Sequence, residues 1–130
     1  MAGATIRMTA NKENSLQEIH RRLYGIDGSE EISKIVQKIN DVEIWTLVYE
    51  KYYFRVGSYV GATVVLTEHN QMQTACVVAS SGGNGMENIS LGANRNYAKA
   101  CVQVLESCGF SIAESDLDTR DKGVIERFFK

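Results

Sequence analysis

The sequence has no proline and little cysteine, and both scarcities limit what the chain can be. Its 130 residues include three cysteines, Cys76, Cys101 and Cys108, and none of them belongs to a Cys-x-x-Cys pair. The odd number and this spacing argue against a disulfide framework and against a zinc site. We therefore interpret all three as small buried apolar residues.

Long apolar runs and an excess of positive charge are also missing. No segment approaches the roughly 18 consecutive apolar residues of a membrane-spanning helix, and the N-terminus has no apolar run of signal-peptide length. The 14 basic residues are outnumbered by 16 acidic ones, which gives a net charge of −2. Because a surface that binds nucleic acid is usually basic, we expect a cytoplasmic protein with neither nucleic acid nor membrane as a partner.

The familiar motifs of cofactor binding and catalysis are absent. A Walker A loop needs a lysine where Met86 follows Gly85, and the third glycine of a dinucleotide fingerprint is replaced by Asn88. No Gly-x-Ser-x-Gly motif occurs. His20 and His69 do not have the spacing of metal ligands. The sequence therefore favours a protein that is not an enzyme and has no cofactor, no metal and no catalytic residue.

Helical spacing of apolar residues predicts three helices. The first follows a capping box at Ser15–Glu18 and ends at Gly25. The second covers Glu30–Ile39, where isoleucine and valine recur at i, i+3, i+4 and i+7. The third begins near Asn94–Asn96 and runs over Asn96–Cys108, with Gly109 as its C-terminal stop.

Enrichment in aromatic and β-branched residues predicts four strands. They are Ala4–Thr9, Val42–Tyr53, Tyr59–Thr67 and Met72–Ser80. The last three follow one another with short links, which is typical of an antiparallel meander. We therefore predict a single α+β domain over residues 1–130, in the order β-α-α-β-β-β-α. It has an antiparallel sheet of three to four strands, helices packed on one face and a helical C-terminal tail.

The tail, residues 110–130, is predicted to dock on its own domain or on a neighbour. Ser115 and Asp118 are spaced as a helix cap, and an apolar helical face follows. That face consists of Val124, Ile125, Phe128 and Phe129.

Aromatic residues are concentrated in the two central strands. Alternation puts Trp45, Tyr49 and Tyr53 on one side of the sheet, and Tyr52 and Phe54 on the other. One side must be core. The other is either simple cross-strand packing or an open face for a ligand, a peptide or a second subunit. We expect a homo-oligomer formed by a sheet edge, this open face or the tail.

A glycine-rich loop between the last strand and the third helix is the candidate ligand site. Backbone N–H groups of such a loop can hold an anion, and a helix N-terminus adds partial positive charge. Basic side chains one turn apart on the helix add full charges. The predicted site consists of Ser80, Ser81, Gly82, Gly83, Asn84, Gly85, Arg95 and Lys99. The alternative is a polar connection or a subunit contact.

The middle of the chain resembles a family of small uncharacterised bacterial proteins of unknown function. The resemblance rests on the tyrosine-rich strand at Val48–Tyr52, on Thr63–Leu66, and on the strand end Ala79–Gly83. In that family serine typically follows the glycine pair, where this chain has Asn84. The resemblance covers about residues 48–108 and implies a compact α+β domain without supplying an activity.

The sequence is therefore compatible with two functions. In the first, the chain is a non-enzymatic binding module for a small anionic ligand at the glycine-rich loop. Alternatively, it is a structural or interaction protein that acts as a homo-oligomer through its sheet or its C-terminal tail.

Overall fold

The structure, a computed structural model, describes residues 3–54, 57–80 and 87–115. These residues form six strands and two helices. The elements are β1 (Gly3–Asn11), α1 (Leu16–Tyr24), β2 (Ser29–Ile39), β3 (Val42–Tyr53), β4 (Ser58–His69), β5 (Met72–Ser80), α2 (Glu87–Ser107) and β6 (Ser111–Ser115). All six strands belong to one sheet in the order β2-β3-β4-β5-β1-β6, and every neighbouring pair is antiparallel.

The predicted fold class is wrong, because the described chain is mainly a six-stranded sheet rather than a sheet of three or four strands. The meander over β3, β4 and β5 is confirmed in direction and nearly in its bounds. Two further strands, β2 and β6, extend the sheet at its edges. β6 replaces the beginning of the predicted helical tail and contains Ser115 of the proposed cap. Asp118 and the apolar face of that tail lie in residues 116–130, outside the described ranges.

The second predicted helix, Glu30–Ile39, is the edge strand β2. It forms a hairpin with β3 in which Ile39 faces Val42 across the turn residues Asn40 and Asp41, and Asn40 adopts a φ of 53°. The register shifts between Glu31 and Ser33. A β-bulge adds one residue to a strand, which accounts for the spacing of three between Ile32 and Ile35. Val36 lies opposite the inward residue Trp45 and Ile35 opposite the outward residue Thr46, so apolar residues on both faces complete the helix-like pattern.

One side of the sheet, the inner face, packs against both helices. Along β3, β4 and β5 every second side chain is buried on this face, as the alternating burial of Leu47, Val64 and Val77 shows. Helix α2 contacts β5, β1 and β4, and α1 contacts α2 and β2. The buried residues of α2 include Tyr97, Cys101 and Leu105. The core therefore lies between the two helices and the inner face.

The first predicted helix is confirmed as α1. The side chain of Ser15 accepts a hydrogen bond from the backbone N–H of Glu18 at 3.1 Å, and the N–H of Gly25 caps the other end. A helix of nine residues is unstable alone in water. Its stability therefore depends on Leu16, Ile19 and Leu23, which are buried against the core.

Candidate functional site

The structure describes three of the eight residues predicted to bind an anion. These are Ser80, Arg95 and Lys99. The other five, Ser81, Gly82, Gly83, Asn84 and Gly85, lie outside the described residues. The anion site as a whole therefore stays a prediction.

Ser80 ends β5 on the side of the sheet away from the helices, which we call the outer face. Its Cα partners are Gly3 and Gly61, whereas the preceding residue, Ala79, is buried on the inner face. Successive strand residues point to opposite faces. The exposed Ser80 hydroxyl and the side chains of α2 therefore lie on opposite sides of the sheet.

Arg95 and Lys99 are half-buried on α2, but they are not at its start. The helix begins at Glu87 rather than near Asn94–Asn96, so that part of the prediction is wrong. Arg95 lies about 12 Å along the axis from the first helical residue. The partial charge of a helix end acts within its first turn, so these two cations do not add to it.

The outer face is nearly free of charge along its three central strands. The outward positions of β3, β4 and β5 carry one carboxylate, Glu50, one histidine, His69, and no lysine or arginine. Apolar and hydroxyl side chains fill most of the others. In chain order the outward residues are Val42, Ile44, Thr46, Val48, Glu50, Tyr52, Tyr59, Gly61, Thr63, Val65, Thr67, His69, Met72, Thr74, Cys76, Val78 and Ser80.

No helix or strand of the described ranges covers this face. Its side chains are half-buried by their neighbours or exposed, and Val78 and Met72 have 39% and 51% of their surface accessible. Some polar groups are satisfied within the sheet, since the hydroxyls of Thr67 and Thr74 hydrogen-bond each other across the strands. Over β3, β4 and β5 the face is thus mainly apolar, with few charged groups that would hold water.

Three aromatic residues form a cluster at one end of the outer face, the aromatic trio of Tyr52, Phe54 and Tyr59. The Tyr52 ring lies 5.0 Å from that of Phe54 and 5.1 Å from that of Tyr59, both edge to face. Their accessible fractions are 39%, 89% and 57%. The predicted division of aromatic residues between the two faces is confirmed, because Trp45 and Tyr49 are buried on the inner face.

A shallow cavity of about 260 Å³ lies on the outer face beside β6. Its lining residues are Thr5, Arg7, Cys76, Glu114 and Ser115. An ion pair of 3.0 Å between Arg7 and Glu114 crosses from β1 to β6. Since more than half of each side chain is exposed, this pair fixes the edge strand only weakly.

A polar cluster joins α1 to the edge strand β2 on the inner side. His20 Nε2 lies 2.5 Å from Glu31 Oε1, and the His20 ring lies 5.8 Å from the ring of Trp45. Burial, followed by the nearby Glu31 carboxylate, raises the pKa of Tyr49. Within the described residues, the Tyr49 hydroxyl and the Trp45 Nε1 have no hydrogen-bond partner.

The described part of the chain offers little for metal or thiol chemistry. It contains no group of three or more His, Cys, Asp or Glu side chains placed to hold a metal ion. Burial raises the pKa of the Cys101 thiol to about 12, so this thiol stays protonated at neutral pH. Neither described helix is long and apolar enough to cross a membrane.

The arginines of α1 are paired with a carboxylate of their own helix. Glu18 accepts hydrogen bonds from Arg21 Nε at 2.9 Å and from Arg22 Nε at 2.8 Å. The bonds from Arg21 and then Arg22 lower the pKa of Glu18 to about 2. This contribution to stability is complete above the ordinary carboxyl pKa of 4.5 and is lost as the pH falls through about 2.

We expect the Glu18 carboxyl carbon to titrate near pH 2 in an NMR titration of the folded protein. The substitution Arg21→Gln should move the midpoint toward 4.5, because it removes the larger of the two causes. Lys38→Gln, on an exposed part of β2, is the matched control and should leave the midpoint unchanged. A midpoint near 4.5 in the unaltered protein would contradict the arrangement.

Comparisons with known proteins identify a family but no activity. The model of DUF6054, a family of unknown function, matches residues 1–109. A comparison with curated proteins finds no match. The matched residues include every element from β1 to α2, and β6 follows them.

Proposed function

Because the chain belongs to DUF6054, a family of unknown function, we propose a function from its geometry: it is an interaction protein that self-associates, with a second copy packed on the outer face. The observation that carries this proposal is the lack of charge on an uncovered face. Lysine, glutamate and arginine normally dominate exposed positions. A contiguous apolar patch on a protein surface commonly marks an interaction site.

The size of the outer face fits a stable interface. Five of the six strands have nine to twelve residues and β6 has five. At about 3.3 Å of rise per residue and about 4.8 Å between strands, the face covers roughly 900 Å². A specific protein–protein interface of standard size buries about 800 Å² on each partner. Two such faces can pack about 10 Å apart, as the sheets of a β-sandwich do.

The sheet edges are less suited to association than the face. On β2, Lys34 lies opposite the inward residue Leu47, and Lys38 lies opposite Glu43, so two lysines project to the inner side of the edge. The bulge at Glu31–Ser33 interrupts the same strand. On the other edge, the described part of β6 has five residues, and its pairing with β1 also shifts register. Lysines, bulges and short strands are the features by which proteins prevent edge-to-edge pairing.

The chemistry of the outer face favours a second copy as its occupant. Over β3, β4 and β5 two identical faces carry one carboxylate each, so they meet with little repulsion. The other charged groups of the face, Glu30, Arg7 and Glu114, lie on the strands toward its edges. The alternative occupant within the chain is the segment of residues 116–130, and eight of its 15 residues are charged. A segment of that composition covers an apolar face less completely.

Placing a charge at the centre of the outer face should abolish self-association. We expect the unaltered protein to sediment as a dimer at concentrations of about 10 µM, and Val65→Lys to sediment as a monomer. Two desolvated lysines on facing copies cost several kcal/mol, which corresponds to a rise of roughly 100-fold or more in the dissociation constant. Analytical ultracentrifugation over a range of concentrations measures both.

Gln103→Lys, on an exposed position of α2, adds the same charge on the opposite side and should leave the dimer intact. Val65→Thr, which keeps the shape of the side chain, should weaken it only slightly. A monomer at all concentrations of the unaltered protein contradicts the proposal. The double variant Phe128→Asp/Phe129→Asp tests the tail, because loss of the dimer in that variant would assign the interface to residues 116–130.

Binding of a small anionic ligand at Ser80–Gly85 is the second candidate function. Its support is the glycine-rich composition of the loop, together with Arg95 and Lys99 one turn apart on α2. Calorimetric titration with inorganic phosphate tests it independently of association. Binding that is lost in Gly83→Val/Arg95→Glu supports the site, and an absence of binding contradicts it.

A further inference from the structure

Strand β6 directs the chain toward one end of the outer face. Its first residue lies opposite Thr9 of β1 and its last opposite Ile6, so it runs toward the Gly3 end of that strand. Gly3 and Gly61 lie in one row of the sheet, on either side of the last residue of β5. The aromatic trio lies just beyond this row, because Tyr59 precedes Gly61 by two residues on β4.

The segment that follows β6, residues 116–130, is long enough to reach the trio. It begins beside the outer face, because Glu114 and Ser115 line the shallow cavity there. Three strand spacings separate β6 from β4, and five residues of rise separate the row of Ile6 from that of Tyr59. Ser115 and Tyr59 are therefore about 22 Å apart. The chain from Ser115 to Phe128 spans up to about 45 Å when extended.

The row beside the trio carries two carboxylates without a paired cation. Glu30 and Glu50 lie opposite each other on β2 and β3, and Glu50 precedes Tyr52 of the trio by two residues. Like charges at directly opposite positions of two strands repel each other. Both glutamates are exposed, and no ion pair of the described residues includes either of them. This end of the face therefore suits a partner that combines aromatic groups with positive charge.

Residues 116–130 contain that combination in one stretch. Phe128 and Phe129 stand between two basic residues, Arg127 and Lys130. Phenyl rings pack well against other aromatic rings in edge-to-face or offset arrangements, and the trio offers exposed rings, with 89% of Phe54 accessible. The two basic side chains match the two carboxylates in number and in sign.

We propose that residues 124–130 of each copy dock on the trio end of its own outer face and compete there with the second copy. Phe128 and Phe129 pack on the trio, while Arg127 and Lys130 lie beside the carboxylates of the neighbouring row. This inference rests on the proposed self-association and adds an autoinhibitory contact that regulates it.

The docking is intramolecular, and a weak contact is therefore sufficient. A connection of this length gives an effective concentration on the order of 1 mM, so a contact with an intrinsic dissociation constant of about 1 mM forms for half of the time. A dimer needs both faces uncovered, so each copy contributes the same factor. A segment docked for half to nine-tenths of the time raises the dissociation constant of the dimer by about 4-fold to 100-fold.

The first measurement tests docking in a chain that does not self-associate. The full chain carries Val65→Lys to prevent association and Cys76→Ala to remove the accessible thiol, and the two remaining cysteines are buried. Disulfide formation with oxidised glutathione is followed between Glu126→Cys and Ser80→Cys, which lies at the trio end of the outer face. We expect it to be at least about 10-fold faster than between Glu126→Cys and Gln103→Cys, exposed on α2 behind the sheet.

The second measurement tests competition by sedimentation. Phe128→Asp/Phe129→Asp removes the apolar contact and repels the two carboxylates, so the dissociation constant of the dimer is expected to fall by about 4-fold to 100-fold. Leu117→Asp/Thr119→Asp adds the same charge to the segment outside residues 124–130 and is expected to leave the constant unchanged.

The outcomes separate this inference from the proposed self-association. Equal disulfide rates, or an unchanged dissociation constant in Phe128→Asp/Phe129→Asp, overturn the docking and leave the dimer on the outer face. Loss of the dimer in that variant also overturns it, because the segment then forms the interface between copies. Fast disulfide formation in a protein that is monomeric at every concentration retains the docking and overturns the self-association.

Discussion

Replacing Gln73 by glutamate is expected to lower the free energy of unfolding by about 3–5 kcal/mol at neutral pH, because it puts an unpaired charge in the core. Gln73 is fully buried on β5. Its Nε2 donates hydrogen bonds of 2.8 Å to the carbonyl oxygen of Asn14 and to Glu68 Oε1. A carboxylate of nearly the same shape has no proton for either acceptor and repels Glu68.

The hydrogen bonds among Lys12, Glu68 and Gln73 explain why this buried position tolerates one carboxylate and not two. Burial raises the pKa of Glu68, but hydrogen bonds from Gln73 and Lys12 outweigh it, so the net pKa is lowered. Lys12 Nζ lies 2.9 Å from Glu68 Oε2 and is a single cation. The substitution removes one donor and adds one negative charge to the same network.

The loss should depend on pH with a definite sign. The introduced carboxyl group has a folded-state pKa above its unfolded value of about 4.3, since burial and Glu68 both disfavour its charge. Its penalty is complete at pH values above the folded pKa and disappears as the pH falls below about 4. Urea unfolding of the variant and of the unaltered protein at pH 7 and pH 4 measures the difference at each pH.

Gln103→Glu, at an exposed position of α2, is the matched control and should change stability little at either pH. An equal loss at pH 7 and pH 4 for Gln73→Glu would contradict the electrostatic explanation and would leave only a packing effect.

Replacing Tyr97 by alanine is expected to cost about 3–5 kcal/mol of unfolding free energy, the range for removing a large aromatic side chain from a core. Tyr97 is fully buried in α2, with its ring 6.2 Å from that of Tyr53 on β3. Its hydroxyl hydrogen-bonds the Ser29 hydroxyl at the start of β2. One side chain therefore connects the long helix to two strands at the β2 side of the sheet.

Conservative variants separate the ring from the hydroxyl. Tyr97→Phe keeps the ring and should cost about 0.5–1.5 kcal/mol, the usual net value of one hydrogen bond. Tyr24→Ala removes a tyrosine that is 61% exposed and should cost well under half as much as Tyr97→Ala. Thermal or urea unfolding followed by circular dichroism measures all three. Equal losses for Tyr97→Ala and Tyr24→Ala would contradict the central role of Tyr97.

Local signals in the sequence predicted the elements that local interactions determine. The cap at Ser15 and the stop at Gly25 define α1 through hydrogen bonds between near neighbours. The strands β3, β4 and β5 are joined by short turns, so their order and direction also follow from neighbouring residues. Such features require no knowledge of the rest of the chain.

The sequence did not predict the features that depend on contacts between residues far apart in the chain. The strand identity of Glu30–Ile39 depends on pairing with β3 and on a bulge that disguises its alternation. The inward direction of Gln73 is stabilised by Asn14, far away in the sequence. The uncharged outer face has a sequence signal, the recurrence of Thr and Val at alternate positions. That signal becomes readable only once the register tells which positions share a face.

The position of β1 has a consequence for how the chain acquires its structure during synthesis. The strand made first lies between β5 and β6, where Gly3 pairs with Ser80 and Asn11 with Met72. The hairpins from β2 to β5 close short loops, whereas β1 has no sheet partner until β5 has left the ribosome. Loop-closure entropy delays such long-range pairing further. Ile6 and Met8, both fully buried in the folded protein, therefore stay exposed to water at least until β5 has been synthesised.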